Sequence, residues 1–248
     1  MKPKGKSTPL GDAGLFAPAS LGDPDLQSLL ANYKRTVASR YTALDLERAN
    51  KLLAGSPYLV SPKVDGELWF LIIEKKDASL VAPNGRVITG PLPLLDEVRK
   101  IASSKTRGLT ILAGELFAIP KSGRPRVGGL SAAMAGGKSA ETRRICFHAF
   151  DVVQGGDKDT PEPAPEYAGR LEVLQRLLDG GKHAKAARTE TCEDKAAVNA
   201  LYDEWVEGGK AEGLVIRADD GRTFKLKPQI TIDAANAIKK HGVGVKCA

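Results

Sequence analysis

Hydrophobic and polar positions follow different patterns in successive parts of the chain. Residues 1–23 are rich in glycine, proline and small residues and show no periodicity, which predicts a flexible or draped arm. Residues 23–40 place apolar side chains at helical spacing, and residues 42–53 do the same after Thr42, a suitable N-cap. The first part of the chain is therefore predicted to form an arm followed by two helices.

Beyond residue 56 the pattern becomes that of β-strands. Short apolar runs are bounded by turn residues, and Asn84-Gly85 predicts a strand, a turn and a second strand over residues 67–89. The predicted strands are 58–62, 67–75, 79–83, 86–90, 109–119, 144–153, 211–219 and 222–228. Helices are predicted between strands at 92–103, 166–179 and 193–207.

This order of elements predicts the fold class. Strands dominate, helices are interspersed and no regular β-α-β alternation is present, which favours an α+β fold of mainly antiparallel sheets with flanking helices. We interpret residues 1–55 as an N-terminal arm with a helical extension and residues 56–248 as one domain.

Composition and charge narrow the function classes. The chain is 42% hydrophobic, which is enough for a core at 248 residues, and its three cysteines show no disulfide or zinc pattern. It has no secretion signal and no membrane-spanning run of about eighteen apolar residues, so a cytoplasmic protein is predicted. A net charge of +7 favours a polyanionic partner. Basic clusters at 121–126 and 138–144 fit this interpretation, although solvated loops give the same pattern.

One lysine is a candidate nucleophile. Lys63 begins the segment Lys63-Val64-Asp65-Gly66, between a turn and an apolar strand. Such a lysine alone is usually solvated surface, because lysine is a weak nucleophile until burial or nearby cations lower its pKa. Other residues suited to chemistry also stand at or near strand ends, where a fold can bring groups together. These residues are Glu115, Phe150, Asp151, Glu212, Lys225 and Lys227.

Six short segments, taken in chain order, resemble the motifs of a known superfamily. The segments are KVDG, NGR, GEL, FDVV, EGLVIR and FKLKP. Together they resemble the covalent nucleotidyltransferases, which include ATP-dependent DNA ligases, RNA ligases and mRNA capping enzymes. The stretches SGRPRVGGL and EYAGRLEVLQRLL are similar to the DNA ligase branch. The resemblance covers residues 57–228 and implies a nucleotidyltransferase (ATP-grasp-like) ligase core, that is, an adenylation domain, for residues 56–248.

The resemblance also implies a reaction with ATP and nicked DNA. Lys63 would attack the α-phosphorus of ATP, form lysyl-AMP and release pyrophosphate. AMP would then pass to a 5′-phosphate at a nick, and a neighbouring 3′-hydroxyl would displace it to seal the break. Lys225 and Lys227 are implied as catalytic partners, and their i, i+2 spacing on a strand places both side chains on one face, where they can neutralise phosphate charge.

Further residues are implied as ligands of the nucleotide or of a metal. Phe150 would stack on the adenine, and Arg86 would approach the ribose or the substrate phosphate. Glu115 would contact the ribose or the metal, and Glu212 would help to bind the metal. The metal would be Mg²⁺ or Mn²⁺, because hard cations prefer carboxylate oxygens. Asp65 is expected to shape the turn that presents Lys63.

The chain departs from the family pattern at two places. Leu68 stands where DNA ligases often have arginine, so one expected contact is absent or moved. Residues 229–248 are too few for the five-stranded OB barrel that the family normally carries there, so no C-terminal OB barrel is predicted. An OB-fold module or partner protein would then be supplied in trans or be missing from this chain. Two alternatives stay open: an RNA ligase with the same chemistry, and a non-catalytic nucleic-acid-binding module that retains the fold.

Overall fold

A computed structural model describes residues 2–53, 57–135 and 138–228 of the chain. Its strands are β1 (Ser7–Leu10), β2 (Ala13–Phe16), β3 (Thr42–Leu44), β4 (Tyr58–Lys63), β5 (Glu67–Glu74), β6 (Asp77–Val81), β7 (Val87–Thr89), β8 (Leu109–Ala118), β9 (Ile145–Gln154), β10 (Ala184–Ala186), β11 (Glu190–Cys192), β12 (Gly213–Ala218) and β13 (Thr223–Leu226). Its α-helices are α1 (Pro24–Tyr33), α2 (Leu46–Leu52), α3 (Pro93–Ile101), α4 (Val127–Ala135), α5 (Ser139–Thr142), α6 (Tyr167–Leu177) and α7 (Lys195–Tyr202). Helix α1 continues as a π-helical segment at Lys34–Ala38, and α7 does so at Asp203–Glu207.

The described residues divide into two compact units. The large unit contains residues 2–39 and 64–187, and the small unit contains residues 40–63 and 188–228 where they are described. One boundary falls between Lys63 and Val64, inside the KVDG segment. The predicted division into an N-terminal arm with a helical extension (residues 1–55) and one adenylation domain (residues 56–248) stays a prediction.

The large unit is built on an eight-stranded sheet in the order β1-β2-β7-β6-β5-β8-β9-β10. Neighbouring strands are antiparallel, except that β10 runs parallel to β9. One side of the sheet packs against α1 through Leu30 and Tyr33, and we call it the α1 face. The other side packs against α3, α4 and α6 through Leu95, Leu130 and Leu174, and we call it the α3 face. Both faces of this sheet are therefore covered by apolar contacts.

A buried polar contact fixes β9 to two helices of the large unit. The hydroxyl of Tyr33 donates a hydrogen bond to Oδ2 of Asp151 at 2.7 Å, and Nε of Arg170 donates to Oδ1 at 2.6 Å. Arg170 also donates to the carbonyl oxygen of Ala164 at 2.9 Å. Because both oxygens of the Asp151 carboxylate accept hydrogen bonds, the contact positions the strand segment that also carries Phe150.

The small unit is built on a five-stranded sheet in the order β11-β4-β12-β13-β3. Neighbours are antiparallel, except that β3 runs parallel to β13. The core lies on one face and includes Val60, Leu214 and Trp205. Because side chains alternate along a strand, Lys63 and Lys225 lie on the opposite face, which we call the Lys63 face.

The predicted α+β class with mainly antiparallel sheets is confirmed, as are the helices predicted at 23–40, 92–103, 166–179 and 193–207. The prediction that no OB barrel follows concerns residues 229–248, which lie outside the described residues. No described helix is long and apolar enough to span a membrane. Two of the three cysteines, Cys146 and Cys192, are buried free thiols, and Cys247 lies outside the described residues.

The N-terminal segment was predicted as an arm without regular structure, and this was wrong for part of it. Strands β1 and β2 form a hairpin, and β2 adds to the large sheet beside β7. Gly11 adopts a φ of 62° in the turn, and Leu10 is fully buried. Strands of four residues are too short to show a period, so only the tertiary pairing with β7 identifies them.

Two boundaries also differ from prediction. Thr42 belongs to β3, which pairs with β13, and the helix begins after Asp45, whose side chain accepts a hydrogen bond from the Arg48 N–H at 2.7 Å. The strands predicted at 67–75, 79–83 and 86–90 are present as β5, β6 and β7, but the single strand-turn-strand unit predicted over residues 67–89 contains a further turn at Lys75, with a φ of 56°, before the Asn84-Gly85 turn. In both places strand pairing outweighs the local sequence signal.

Candidate functional site

Three charged side chains meet at one end of the small sheet. Nζ of Lys63 donates a hydrogen bond to Oε2 of Glu212, and Nζ of Lys227 donates to Oε1 of the same carboxylate at 2.5 Å. The side chains of Lys63, Glu212 and Lys227 are 20%, 13% and 22% exposed, so the group is mostly buried yet still reached by solvent. We call these three residues the lysine cluster.

Strand register explains how residues so distant in the chain come together. Strand β4 ends at Lys63 where the antiparallel β12 begins, and the Glu212 N–H donates to the Lys63 carbonyl oxygen at 3.0 Å. Lys227 directly follows β13, which is also antiparallel to β12, and its N–H donates to the Leu44 carbonyl oxygen at 3.0 Å. A Cβ at Gly213 would lie 2.3 Å from the Leu226 carbonyl oxygen, so glycine is needed for this approach.

Electrostatics keep the Glu212 carboxylate ionised. Burial by itself raises the pKa of Glu212, but the charges and hydrogen bonds of Lys63 and Lys227 outweigh burial, and the pKa is lowered overall. The carboxylate is therefore ionised near neutral pH. Two lysines around one carboxylate leave a positive excess, which is the local charge that a phosphate group requires.

Lys225 lies on the same face but makes a different contact. Its Nζ stands 5.0 Å from the centroid of the Tyr41 ring, a cation–π distance. Arg217, only 8% exposed, donates from Nη1 to Oγ of Ser61 at 3.2 Å. No role was predicted from the sequence for Tyr41 or Arg217. A single tyrosine in a loop and an arginine within a strand carry no signal that separates them from surface residues.

The turn that follows Lys63 belongs to the large unit. The Gly66 N–H donates to Oε1 of Glu115 at 3.2 Å. A Cβ at Gly66 would lie 2.4 Å from the Leu116 carbonyl oxygen, so this position accepts only glycine without a backbone shift. Oδ2 of Asp65 lies 3.9 Å from Nη1 of Arg124. The glycine of the KVDG segment is thus explained by the close approach of β8.

Glu115 and Phe150 share the α1 face of the large sheet. Glu115 on β8 stands directly opposite Leu68 on β5, and both Leu68 and Phe150 pack against the apolar cluster of that face. Phe150 is half-buried, so the residue is not sealed off from solvent. A carboxylate and an aromatic ring are therefore presented on one side of the sheet.

Arg86 is not brought together with these two residues. Its guanidinium pairs with Glu67 and lies 5.0 Å from the centroid of the Trp69 ring. Trp69 belongs to the core of the α3 face, so Arg86 lies on the side of the sheet opposite Glu115 and Phe150. Its predicted contact with the nucleotide stays a prediction.

Residues 36–226 match the sequence family described as ATP-dependent DNA ligase domain. The chain belongs to this family. The matched range contains Lys63, Glu115, Phe150 and Glu212, and the recognition made on the sequence is confirmed. No curated protein matches the chain.

Solved structures of ligases resemble this ligase-family chain in fold. A structure described as "Pmar-Lig_Pre." has a TM-score of 0.56 at 18% identity and covers 79% of this chain and 49% of that chain. "Pmar-Lig_PreS3" has a TM-score of 0.55 at 16% identity, with 82% and 51% covered. The ligase domain of LigD from M. tuberculosis has a TM-score of 0.53 at 18% identity, with 75% and 57% covered. The chain thus spans about half the length of the first two.

The carboxylates of this ligase-family domain fit a divalent cation that takes most of its ligands from elsewhere. Among the described residues, no three His, Cys, Asp or Glu side chains cluster as a metal site. Glu212 bonds to two lysines, and Glu115 uses one oxygen for the Gly66 N–H. Mg²⁺ commonly binds one or two carboxylates and completes its shell with water and substrate phosphates. Glu115 and Glu212 fit that pattern as single ligands.

Proposed function

We propose that this chain supplies the adenylation chemistry of an ATP-dependent DNA ligase. Nζ of Lys63 attacks the α-phosphorus of ATP, so that an N–P bond forms, the P–O bond to pyrophosphate breaks and lysyl-AMP results. AMP then passes to the 5′-phosphate at a nick in DNA, where a 3′-hydroxyl displaces it. The observation that carries the proposal is the lysine cluster, in which the candidate nucleophile, a carboxylate and a second lysine share hydrogen bonds.

The lysine cluster supports each requirement of the first step. Glu212 holds Nζ of Lys63 in a defined position, and the proton that Nζ loses before attack passes to solvent, which reaches the partly exposed cluster. Lys227 is held by the other oxygen of Glu212, where its charge offsets the negative charge that develops on the α-phosphate. Lys225 adds a second cation on the same face, with its side chain ordered by the Tyr41 ring.

The nucleotide and its metal are assigned to further residues in the same proposal. Phe150, which is half-buried, stacks on the adenine, and Glu115 contacts the ribose or the metal. Mg²⁺ or Mn²⁺, when bound, would supply charge neutralisation on the triphosphate, and Glu115 and Glu212 are the residues assigned to hold it, each as a single ligand. Arg86 lies on the opposite side of the sheet, and its contact with the ribose or the substrate phosphate stays a prediction.

The partners and location follow from the family and belong to the proposal as well. The nucleic-acid substrate is nicked DNA, and an OB-fold module or partner protein completes the clamp around it. The absence of a membrane-spanning helix among the described residues fits the cytoplasmic location that we propose.

A labelling experiment tests the proposal. The chain is incubated with Mg²⁺ and ATP labelled on the α-phosphate, and it is then denatured. We expect label to stay on the wild-type chain and to be absent from Lys63→Ala and Lys63→Arg, because arginine keeps the charge but cannot form the phosphoramidate at neutral pH. GTP labelled in the same way should transfer no label.

A matched control separates loss of the nucleophile from loss of any ion pair. Lys210 forms a salt bridge with Glu204 at 3.3 Å in the same unit, and its side chain is 64% exposed. Lys210→Ala should therefore keep the label. The mechanism is rejected by an unlabelled wild-type chain, or by equal labelling of wild type and Lys63→Ala.

A further inference from the structure

A cavity of about 450 Å³ lies in the large unit beside the start of α4. Four of its lining side chains are cationic, and none of its lining residues, all within the described part of the chain, is acidic. The cations are Lys121, Arg124, Arg126 and Arg144. We call this the basic cavity. Helix α4 also has no acidic residue in its first turn, so its N-terminal dipole adds to the positive potential.

Part of this charge is not neutralised by the residues that the structure describes. Arg144 pairs with Glu141 and donates from Nε to the Ile119 carbonyl oxygen at 2.8 Å. Lys121 and Arg126 form no salt bridge with any residue that the structure describes. Lys121 and Arg126 are exposed, and four cations close together raise the local positive potential, so the cavity is suited to an anion.

Arg124 supplies an independent sign of a missing ligand. Its Nη1 is buried and makes no hydrogen bond within the described residues. The nearest carboxylate oxygen, Oδ2 of Asp65, is 3.9 Å away, beyond hydrogen-bond distance. A buried guanidinium nitrogen without an acceptor is costly, and phosphate oxygens are among its best acceptors.

We propose that the basic cavity binds a backbone phosphate of nucleic acid, and that Arg124 donates Nη1 to it. The inference rests on the proposed function for the class of substrate and deepens it by locating a contact. Lys138 and Arg143, both exposed, continue the positive charge along the chain before Arg144. Charge that extends beyond the cavity suits an extended polyanion better than a single free phosphate.

The proposed contact has a consequence for the segment that carries the nucleophile. Asp65 follows Lys63 by two residues and faces Arg124. A phosphate bound at Arg124 therefore competes with Asp65 for the same guanidinium group. Nucleic acid in the basic cavity would thus weaken the contact between Asp65 and the loop at 121–126.

A substitution at Gly129 can place a negative charge in the basic cavity while every arginine is kept. It lines the cavity in α4, and a Cβ added there meets no atom within 4 Å. Gly129→Glu introduces a carboxylate into this space, and Gly129→Ala is the neutral control. In binding assays with a nicked DNA duplex and no ATP, we expect Gly129→Glu to weaken binding about tenfold and Gly129→Ala to bind as wild type does.

Salt dependence identifies a phosphate contact directly. The logarithm of the binding constant falls with the logarithm of salt concentration, with a slope of about −0.9 for each phosphate contact on duplex DNA. Measured between about 50 and about 200 mM salt, Arg126→Ala should make the slope less negative by about 0.9. Arg107→Ala is the matched control, because Arg107 is exposed in the same unit and lies outside the cavity. Circular dichroism and thermal unfolding establish that each variant is folded.

The outcomes separate this inference from the proposed function. DNA binding is measured without ATP, so a chain that fails to become adenylylated still tests the cavity. The inference is overturned when wild type does not bind the duplex, when folded Gly129→Glu binds like Gly129→Ala, or when Arg126→Ala leaves the slope unchanged. It is also overturned if inorganic pyrophosphate displaces the duplex far more effectively than chloride at equal ionic strength, because the cavity would then take a free polyphosphate.

Discussion

The lysine cluster of the small unit and the α1 face of the large sheet present their candidate residues in different ways. In the cluster, Lys63, Glu212 and Lys227 share hydrogen bonds at the ends of neighbouring strands. In the large unit, Glu115 and Phe150 share a face, while Arg86 lies on the other side of the same sheet. Residues at the ends of antiparallel neighbours converge whatever their spacing in the chain. Side chains within a strand point alternately to the two faces of the sheet, so a shift of one residue along the strand places a side chain on the other face.

The first prediction tests whether position in the cluster sets the effect of a lysine. Lys227→Met should slow labelling of the chain by about 10²–10³-fold, because it removes a cation bonded to Glu212 beside the nucleophile. Lys225→Met should slow it only about tenfold, because the Tyr41 ring, a cation–π partner, holds the Lys225 side chain. Initial rates at saturating labelled ATP measure both. Equal losses in the two variants would show that the bond to Glu212 does not distinguish them.

The sequence was sufficient for the parts of the fold and site that local signals encode. The i, i+2 spacing of Lys225 and Lys227 correctly placed both on one face, and the run from 166 to 179 correctly gave α6. It could not show that Lys227 bonds to Glu212 and Lys225 to Tyr41, because that choice depends on the pairing of β13 with β12 and β3. It also could not place Arg86, since the face is decided by the contact with Trp69.

The second prediction uses acid to distinguish the two regions. Burial, with a smaller contribution from Lys185, lowers the pKa of His148 in the large unit from 6.5 to about 4. The unfolded chain therefore binds a proton at this histidine more readily than the folded chain does. The free energy of unfolding consequently falls as pH falls from about 6.5 to about 4. The lowered pKa of Glu212 acts at lower pH: its contribution is present above about pH 4.3 and is lost as pH falls through the folded value.

Urea unfolding at about pH 7 and about pH 5 measures the difference. The wild-type chain should lose about 2 kcal/mol of unfolding free energy between these two values through His148. His148→Gln should remove most of that loss, because glutamine does not titrate. Glu212→Gln should leave the loss in place, because its window lies below this range. A pH dependence that survives in His148→Gln would show that another group is responsible.

The third and smallest predicted effect concerns Arg86, which lies on the α3 face of the large sheet, whereas Glu115 and Phe150 lie on the α1 face. If the nucleotide lies on the α1 face with Glu115 and Phe150, Arg86→Ala should change the KM for ATP in the labelling reaction less than about threefold. It should instead lower the unfolding free energy by about 1 kcal/mol, through the lost contacts with Glu67 and Trp69.

Phe150→Leu is the matched variant on the α1 face, because leucine keeps most of the apolar packing but removes the ring. It should raise the KM for ATP about tenfold, as expected when an aromatic ring no longer stacks on a base. An Arg86→Ala variant that raises the KM as much as Phe150→Leu would place a nucleotide contact on the α3 face. The contacts of Arg86 favour a structural role. Loss of a structural contact lowers the unfolding free energy and leaves the KM for ATP unchanged, so the KM shows which face of the sheet contacts the nucleotide.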